Sequence, residues 1–240
     1  MSSSVNIKEV ENFAKDSSHW WDEEGPFKPL HRLNPERIRY IKSMICEHYA
    51  RDTDALGALK DLSILDIGCG GGLVCEPLSR LGGKVTGVDA DTNAIAVATE
   101  HAEQSGLKIT YKNGAAEDLK ETYDVVLALE VIEHVDNVEE FVENCVKLCA
   151  KDGLIIFSTL NRTPQSYALG IVAAEHILRW VPRGTHQWKK FLKPSELARM
   201  VRKAGAREHN IKGLVFNPMK NEFSLSNSNT AVNYFLTAKA

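Results

Sequence analysis

Between residues 63 and 160 the chain alternates short apolar runs with amphipathic stretches, and few folds accept that pattern. SILDIG (63–68), KVTGVD (84–89), KITYKN (108–113), YDVVLALE (123–130) and GLIIFSTL (153–160) read as strands. GLVCEPLSRLG (72–82), TNAIAVATEHAEQSG (92–106, with Thr92 as cap and Gly106 as stop) and NVEEFVENCVKLCAK (137–151) read as helices. Strands apolar enough to be covered on both faces, alternating with helices, specify an α/β, doubly wound, mostly parallel sheet. A long insertion (164–190) and a helix over 193–206 follow. Two runs, 209–217 and 232–239, then suit a terminal antiparallel pair, giving seven strands. Residues 5–50 look helical and amphipathic. HWWDEEGPFKPLHRLNPER (19–37) interrupts them, because Pro26, Pro29 and Pro35 oppose one continuous helix. The organisation expected is a single domain over 1–240, a helical lid over 1–55 and a helical insertion after the fifth strand.

Composition narrows the function classes. At 240 residues, 43% hydrophobic and 25% charged, the chain can bury a substantial core. A net charge of −3 gives no basic field for nucleic acid. The cysteines are 46, 69, 75, 145 and 149. Their odd number and the lack of a CxxC pair indicate reduced thiols acting as small hydrophobes. MSSSVNIKEVENFAKD lacks the apolar core of a secretory signal and the arginines of a mitochondrial leader, and no uncharged apolar run reaches ~18 residues. The expected setting is the bacterial cytoplasm, with the mitochondrial matrix as the less favoured alternative.

ILDIGCGGGL (64–73) carries the sharpest signal. Glycines between a strand and a helix allow a tight turn and close approach of a ligand. GxGxxG is incomplete in either register, since Leu73 or Cys75 stands at the third place, which lowers the case for a nicotinamide or flavin. The second strand ends in Asp89, 21 residues after Gly68, where a carboxylate can accept both hydroxyls of a ribose. Asp66, Gly68 and Gly70 with Asp89 suit a nucleoside without a pyrophosphate, such as S-adenosylmethionine.

At the tip of the fourth strand EVIEH places Glu130, Glu133 and His134 at i, i+3 and i+4, on one side of a helical turn. Two carboxylates and an imidazole can hold Mg²⁺, and His134 with Glu133 can serve as a catalytic pair that deprotonates a phenol. Alternatively, the two acids are solvated loop residues and His134 caps the next helix.

LDIGCGGG, VTGVDA and YDVVLALEVIEHV resemble the class I methyltransferases that use S-adenosylmethionine, over roughly residues 60–160. That resemblance implies a Rossmann-like methyltransferase fold, Leu129 lining the cofactor pocket, and adenine near NGAAEDL (113–119), with Glu117 or the backbone in contact. The flanks, WWDEEGPFKPLHRLNPERIRYI, STLNRTPQSYALGIVAAEHILRWVPRGTHQWKKF and NPMKNEFSLSNSNTAVNYFLTAKA, resemble the ubiquinone-biosynthesis O-methyltransferase family. The implied acceptor is a ring hydroxyl of a polyprenylated catechol or phenol, with other enzymes of that pathway as candidate partners. Arg37, in NPER, matches the place where that family puts an arginine on the cofactor's carboxylate, and a guanidinium fits two carboxylate oxygens. His31, Lys28 and the tryptophans would line the acceptor side, or Trp20 and Trp21 simply pack on the core. The apolar insertion with Trp180, Arg183 and Trp188 suits a membrane surface through 164–188, peripheral to the inner membrane, or a buried or dimer helix. Three rivals remain: a nicotinamide oxidoreductase, a methyltransferase acting on RNA ends or another phenol, and a non-catalytic lipid-binding relative.

Overall fold

The computed structural model describes residues 5–169 and 187–240. Strands form at β1 (Ser63–Ile67), β2 (Lys84–Asp89), β3 (Thr110–Asn113), β4 (Tyr123–Leu129), β5 (Cys149–Leu160), β6 (Arg207–Asn217), β7 (Glu222–Ser226) and β8 (Asn233–Lys239). They make one sheet in the order β3-β2-β1-β4-β5-β8-β6-β7. The first five are parallel, and β8 and β6 follow antiparallel. All seven expected strands are present. An eighth, β7, pairs antiparallel with β6 at the edge. Its sequence, EFSLS, is too polar and short to announce a strand.

The alternation along β4 shows why both faces must be covered. Val125, Leu127 and Leu129 enter one core cluster with α2 (Lys28–His48) and α3 (Cys75–Arg80). Val126 and Ala128 enter the other with α5 (Val138–Leu148) and α7 (Pro194–Lys203). The five strand residues from Val125 to Leu129 are all buried, as a central parallel strand requires. The order reverses beside β1, so the C-terminal ends of β1 and β4 open onto the crevice where such sheets place ligands. All five cysteines are free and buried.

Three local expectations differ. Helix α4 (Thr92–Gln104) is capped by Asp91, whose side chain accepts from the Asn93 amide, rather than by Thr92. Residues 149–151 belong to β5 rather than to α5, because Cys149 pairs across to Tyr123. Pro35 lies inside α2. Pro29 sits in the first turn, where no amide partner is needed. Pro35 is exposed, while Leu33, Arg37, Tyr40, Ile41, Met44 and Ile45 bury the opposite face and hold the helix together across the missing hydrogen bond. The N-terminal part comprises α1 (Ile7–Ala14), a 3₁₀ turn (Ser17–His19) and then α2, so the interruption ends at Lys28. A single turn, α6 (Pro164–Ser166), leads into the insertion, of which residues 170–186 lie outside those described.

Candidate active site

Gly68, Gly70 and Gly72 all adopt positive φ, at 73°, 51° and 86°, the left-handed turns that glycine tolerates. Asp89 fastens this turn: its Oδ2 accepts from the Gly70 amide at 2.8 Å and its Oδ1 from the Asp91 amide at 2.8 Å. Each oxygen keeps a further lone pair for a hydroxyl. Burial pushes the Asp89 carboxyl up, against those backbone donors. Asp66, one turn earlier, is 2% exposed and accepts from the Cys75 thiol at 3.4 Å. Burial pushes it up to about 7, opposed by Cys75 and Arg37.

Arg37 reaches the same place from α2. It is 4% exposed, and its Nε and Nη2 have no hydrogen-bond partner. Burial pulls the guanidinium down, and the charges of Glu130, Asp66 and Glu133 hold it up. The crevice thus holds one buried cation with two donors waiting and more acids than it can neutralise. That set fits a zwitterionic amino-acid group with an extra positive charge: a carboxylate for Arg37 and cations for the acids. Beyond the end of β3 a cavity of about 290 Å³ is lined by residues including Val88, Asn113, Gly114, Ala115, Asp118 and Leu119. This is the stretch expected to receive adenine, although Glu117 is not in the lining.

At the tip of β4 the geometry departs from a helical turn. Glu130 takes φ 54°, a strained conformation for a non-glycine residue that turns its carboxylate aside. There it accepts from Ser158 Oγ at 2.7 Å and Asn233 Nδ2 at 3.2 Å. Only Ile132–His134 form a 3₁₀ turn. Glu133 points inward, 3% exposed, accepting from Thr159 Oγ1 at 2.8 Å while Oε1 stays unpaired. Burial, and then the charge of Glu130, push its carboxyl up. His134 has its Nδ1 3.4 Å from Glu9 Oε2. Burial pulls its imidazole down, but Glu9, Glu133 and Glu130 outweigh this and hold it above its ordinary value. Leu129 places its side chain in the core cluster on the α2 side.

Comparison with known proteins decides the family. A profile described as a methyltransferase domain matches residues 37–209. A ubiquinone biosynthesis O-methyltransferase of Cereibacter sphaeroides is 48% identical over 235 residues, 97% of this chain and 95% of that protein. One of Nitrobacter winogradskyi is 46% identical over 238 residues, 98% of this chain and 91% of that protein. This chain belongs to the ubiquinone biosynthesis O-methyltransferase family. Its fold is also that of more distant methyltransferases. A SAM-dependent methyltransferase of Thermotoga maritima, titled a possible histamine N-methyltransferase, superposes with a TM-score of 0.67 at 16% identity, covering 97% of this chain and 98% of that one. Magnesium protoporphyrin IX methyltransferase of Synechocystis, with bound SAH, gives 0.65 at 17%, covering 95% and 94%.

Among the described residues no group of three or more His, Cys, Asp or Glu side chains is placed to hold a cation. Glu130 is held by Ser158 and Asn233, Glu133 by Thr159, and His134 by Glu9. No step below uses a metal ion.

The tryptophans of the N-terminal segment pack on the glycine turn. A Cβ at Gly70 would lie 2.3 Å from the Trp20 ring, and one at Gly71 2.4 Å from it. Trp21 Nε1 donates to the Gly71 carbonyl at 3.0 Å, and its ring stacks on His101 at 3.5 Å. His31 Nε2 bonds the Trp20 carbonyl at 2.8 Å, and Lys28 pairs with Glu24. Sequence reasoning missed Ser17, Glu9, Ser158, Thr159 and Asn233. Ser17 is buried and donates to Asp91. Only Glu9 and Phe13 left a usable trace, an i, i+4 pair on a short amphipathic helix.

Proposed function

We propose that this chain transfers a methyl group from S-adenosylmethionine to a ring hydroxyl of a polyprenylated catechol or phenol during ubiquinone biosynthesis. The similarity at 44–48% identity across 96% or more of the chain carries the reading, because it includes the flanks as well as the glycine turn. When bound, S-adenosylmethionine supplies an electrophilic methyl on a positively charged sulfur. Arg37 would hold its carboxylate, Asp89 its ribose hydroxyls, and Asp66 and the turn at Gly68 and Gly70 the amino-acid part; Leu129 contributes the wall at the end of β4.

His134 is the group we assign to the acceptor hydroxyl. A phenol with pKa near ~10 is mostly protonated at neutral pH, so its oxygen needs a base as it gains the methyl carbon. The O–H proton passes to His134, and Glu133, buried beside it, stabilises the imidazolium that results. The surrounding acids hold His134 above its ordinary pKa, and a net positive ligand beside Glu130 and Glu133 opposes that shift.

The N-terminal segment acts as a lid anchored on the glycine turn. The insertion 164–190 meets the membrane surface that carries the prenylated acceptor. Tyr167 and Leu169, at its start, are about half exposed. The test is an assay on a short-tailed catechol analogue with labelled donor. Labelled methyl ether is expected with wild type and is lost with His134→Asn; labelled product on RNA ends instead would overturn the reading.

A further inference from the structure

Three side chains that border the glycine turn carry buried polar atoms without a hydrogen-bond partner: Trp20 Nε1, Asn34 Oδ1, and Arg37 Nε and Nη2. The indole and guanidinium nitrogens can only donate, and the amide oxygen can only accept. Asn34 Nδ2 donates to the Leu73 carbonyl at 2.8 Å, which orients the amide and leaves Oδ1 as its free end. Asn34 and Arg37, three apart on α2, are neighbours on its surface. The Trp20 ring lies between the glycine turn and Phe27, stacked on Phe27 at 3.8 Å with 6° between the planes, so its N–H is held in one direction. His31, one turn before Asn34, donates from Nε2 to the Trp20 carbonyl at 2.8 Å and ties this residue to α2. Burying a donor or acceptor unpaired costs free energy, and none of these atoms is open to solvent. Together they are the complement of a zwitterionic α-amino acid: its carboxylate accepts from the three N–H donors, and its ammonium donates to the amide oxygen.

We propose that Trp20 and Asn34 complete, with Arg37, a clamp on the amino-acid end of the donor: Trp20 Nε1 donates to the carboxylate beside Arg37, and Asn34 Oδ1 accepts from the ammonium. An ammonium has three N–H groups, so Asn34 adds to Asp66 and the glycine turn rather than replacing them. Trp20 belongs to the N-terminal segment and Asn34 to α2, so the clamp is whole only while that segment lies on the turn. The segment parts to admit the donor, and its return brings the indole onto the carboxylate. A nucleoside without the amino-acid end gains nothing from that closure, so the clamp selects for a donor that carries it. The inference rests on the crevice being the donor site, and the experiment separates the two.

Calorimetric titration of the full chain as wild type, Asn34→Ala and Trp20→Phe uses S-adenosylhomocysteine, its analogue without the amino group, and methylthioadenosine, which lacks the whole amino-acid end. Asn34→Ala is expected to weaken S-adenosylhomocysteine by about tenfold and to leave the other two probes within about twofold. Trp20→Phe keeps an aromatic ring on the turn and removes the N–H. It should weaken S-adenosylhomocysteine and the deaminated analogue alike, by about tenfold, and leave methylthioadenosine within about twofold. Residues that only pin Leu73 or pack on the turn would change all three affinities equally or none, and either pattern overturns the clamp. If wild type binds methylthioadenosine as tightly as S-adenosylhomocysteine, the amino-acid end is not gripped; the clamp is then overturned while the nucleoside site stands. If wild type binds none of the probes, the donor-site reading fails and the clamp with it.

Discussion

A buried guanidinium with two unpaired nitrogens, ringed by acids, is an unfavourable arrangement that a ligand can relieve. In this protein Arg37, Asp66 and Glu133 are all buried, so part of the folding stability is given up at the site. Asp66 makes this measurable. Its carboxyl is raised from 3.8 to about 7, so its stabilising, protonated form is fully present below about pH 4 and lost as pH rises through 7. The difference corresponds to at most about 4 kcal/mol. Without ligand, Asp66→Asn should therefore melt higher relative to wild type at pH 8 than at pH 4, by several degrees. A pH-independent gap in differential scanning fluorimetry would contradict this. Asp66 and Asp89 were legible in the sequence because strand ends place residues predictably. The directions of Glu130 and His134 were not, since one left-handed backbone torsion and partners as remote as Glu9 and Asn233 set them.

At the scale of elements, the glycine turn and the Trp-Trp segment form one unit. Gly70→Ala puts a methyl 2.3 Å from a rigid indole at a φ that disfavours alanine. It should lower Tm and accelerate proteolytic cleavage within residues 15–27. Adding Trp20→Ala should return part of the lost Tm, a coupling that a double-mutant cycle reads directly. Strictly additive losses would show that the indole is not what the turn accommodates. Helix α2 offers a second test. Pro35→Ala restores a backbone donor on an exposed face and should raise stability by about 1–3 kcal/mol in urea denaturation, whereas a loss would mean the proline holds a bend that the fold needs. The strand–helix alternation was legible because apolar periodicity dictates it. The continuation of α2 through Pro35 was not, because burial of seven of its residues outweighs a local propensity.

For the whole molecule, the sheet order puts the residues proposed to hold the donor, at β1 and β2, and the proposed base, beyond β4, around one reversal point. Among the described residues no helix is long and apolar enough to cross a membrane. Deleting residues 164–188 should reduce co-sedimentation with liposomes while leaving affinity for S-adenosylhomocysteine unchanged; equal pelleting of both forms would remove the membrane role. The central claim is that the nucleoside donor docks between the glycine turn, Asp89 and Arg37. Calorimetric titration of S-adenosylhomocysteine into wild type, Arg37→Ala and Asp89→Ala tests it most directly. The account predicts a one-to-one complex weakened at least tenfold by either substitution; unchanged affinity in both variants would contradict it.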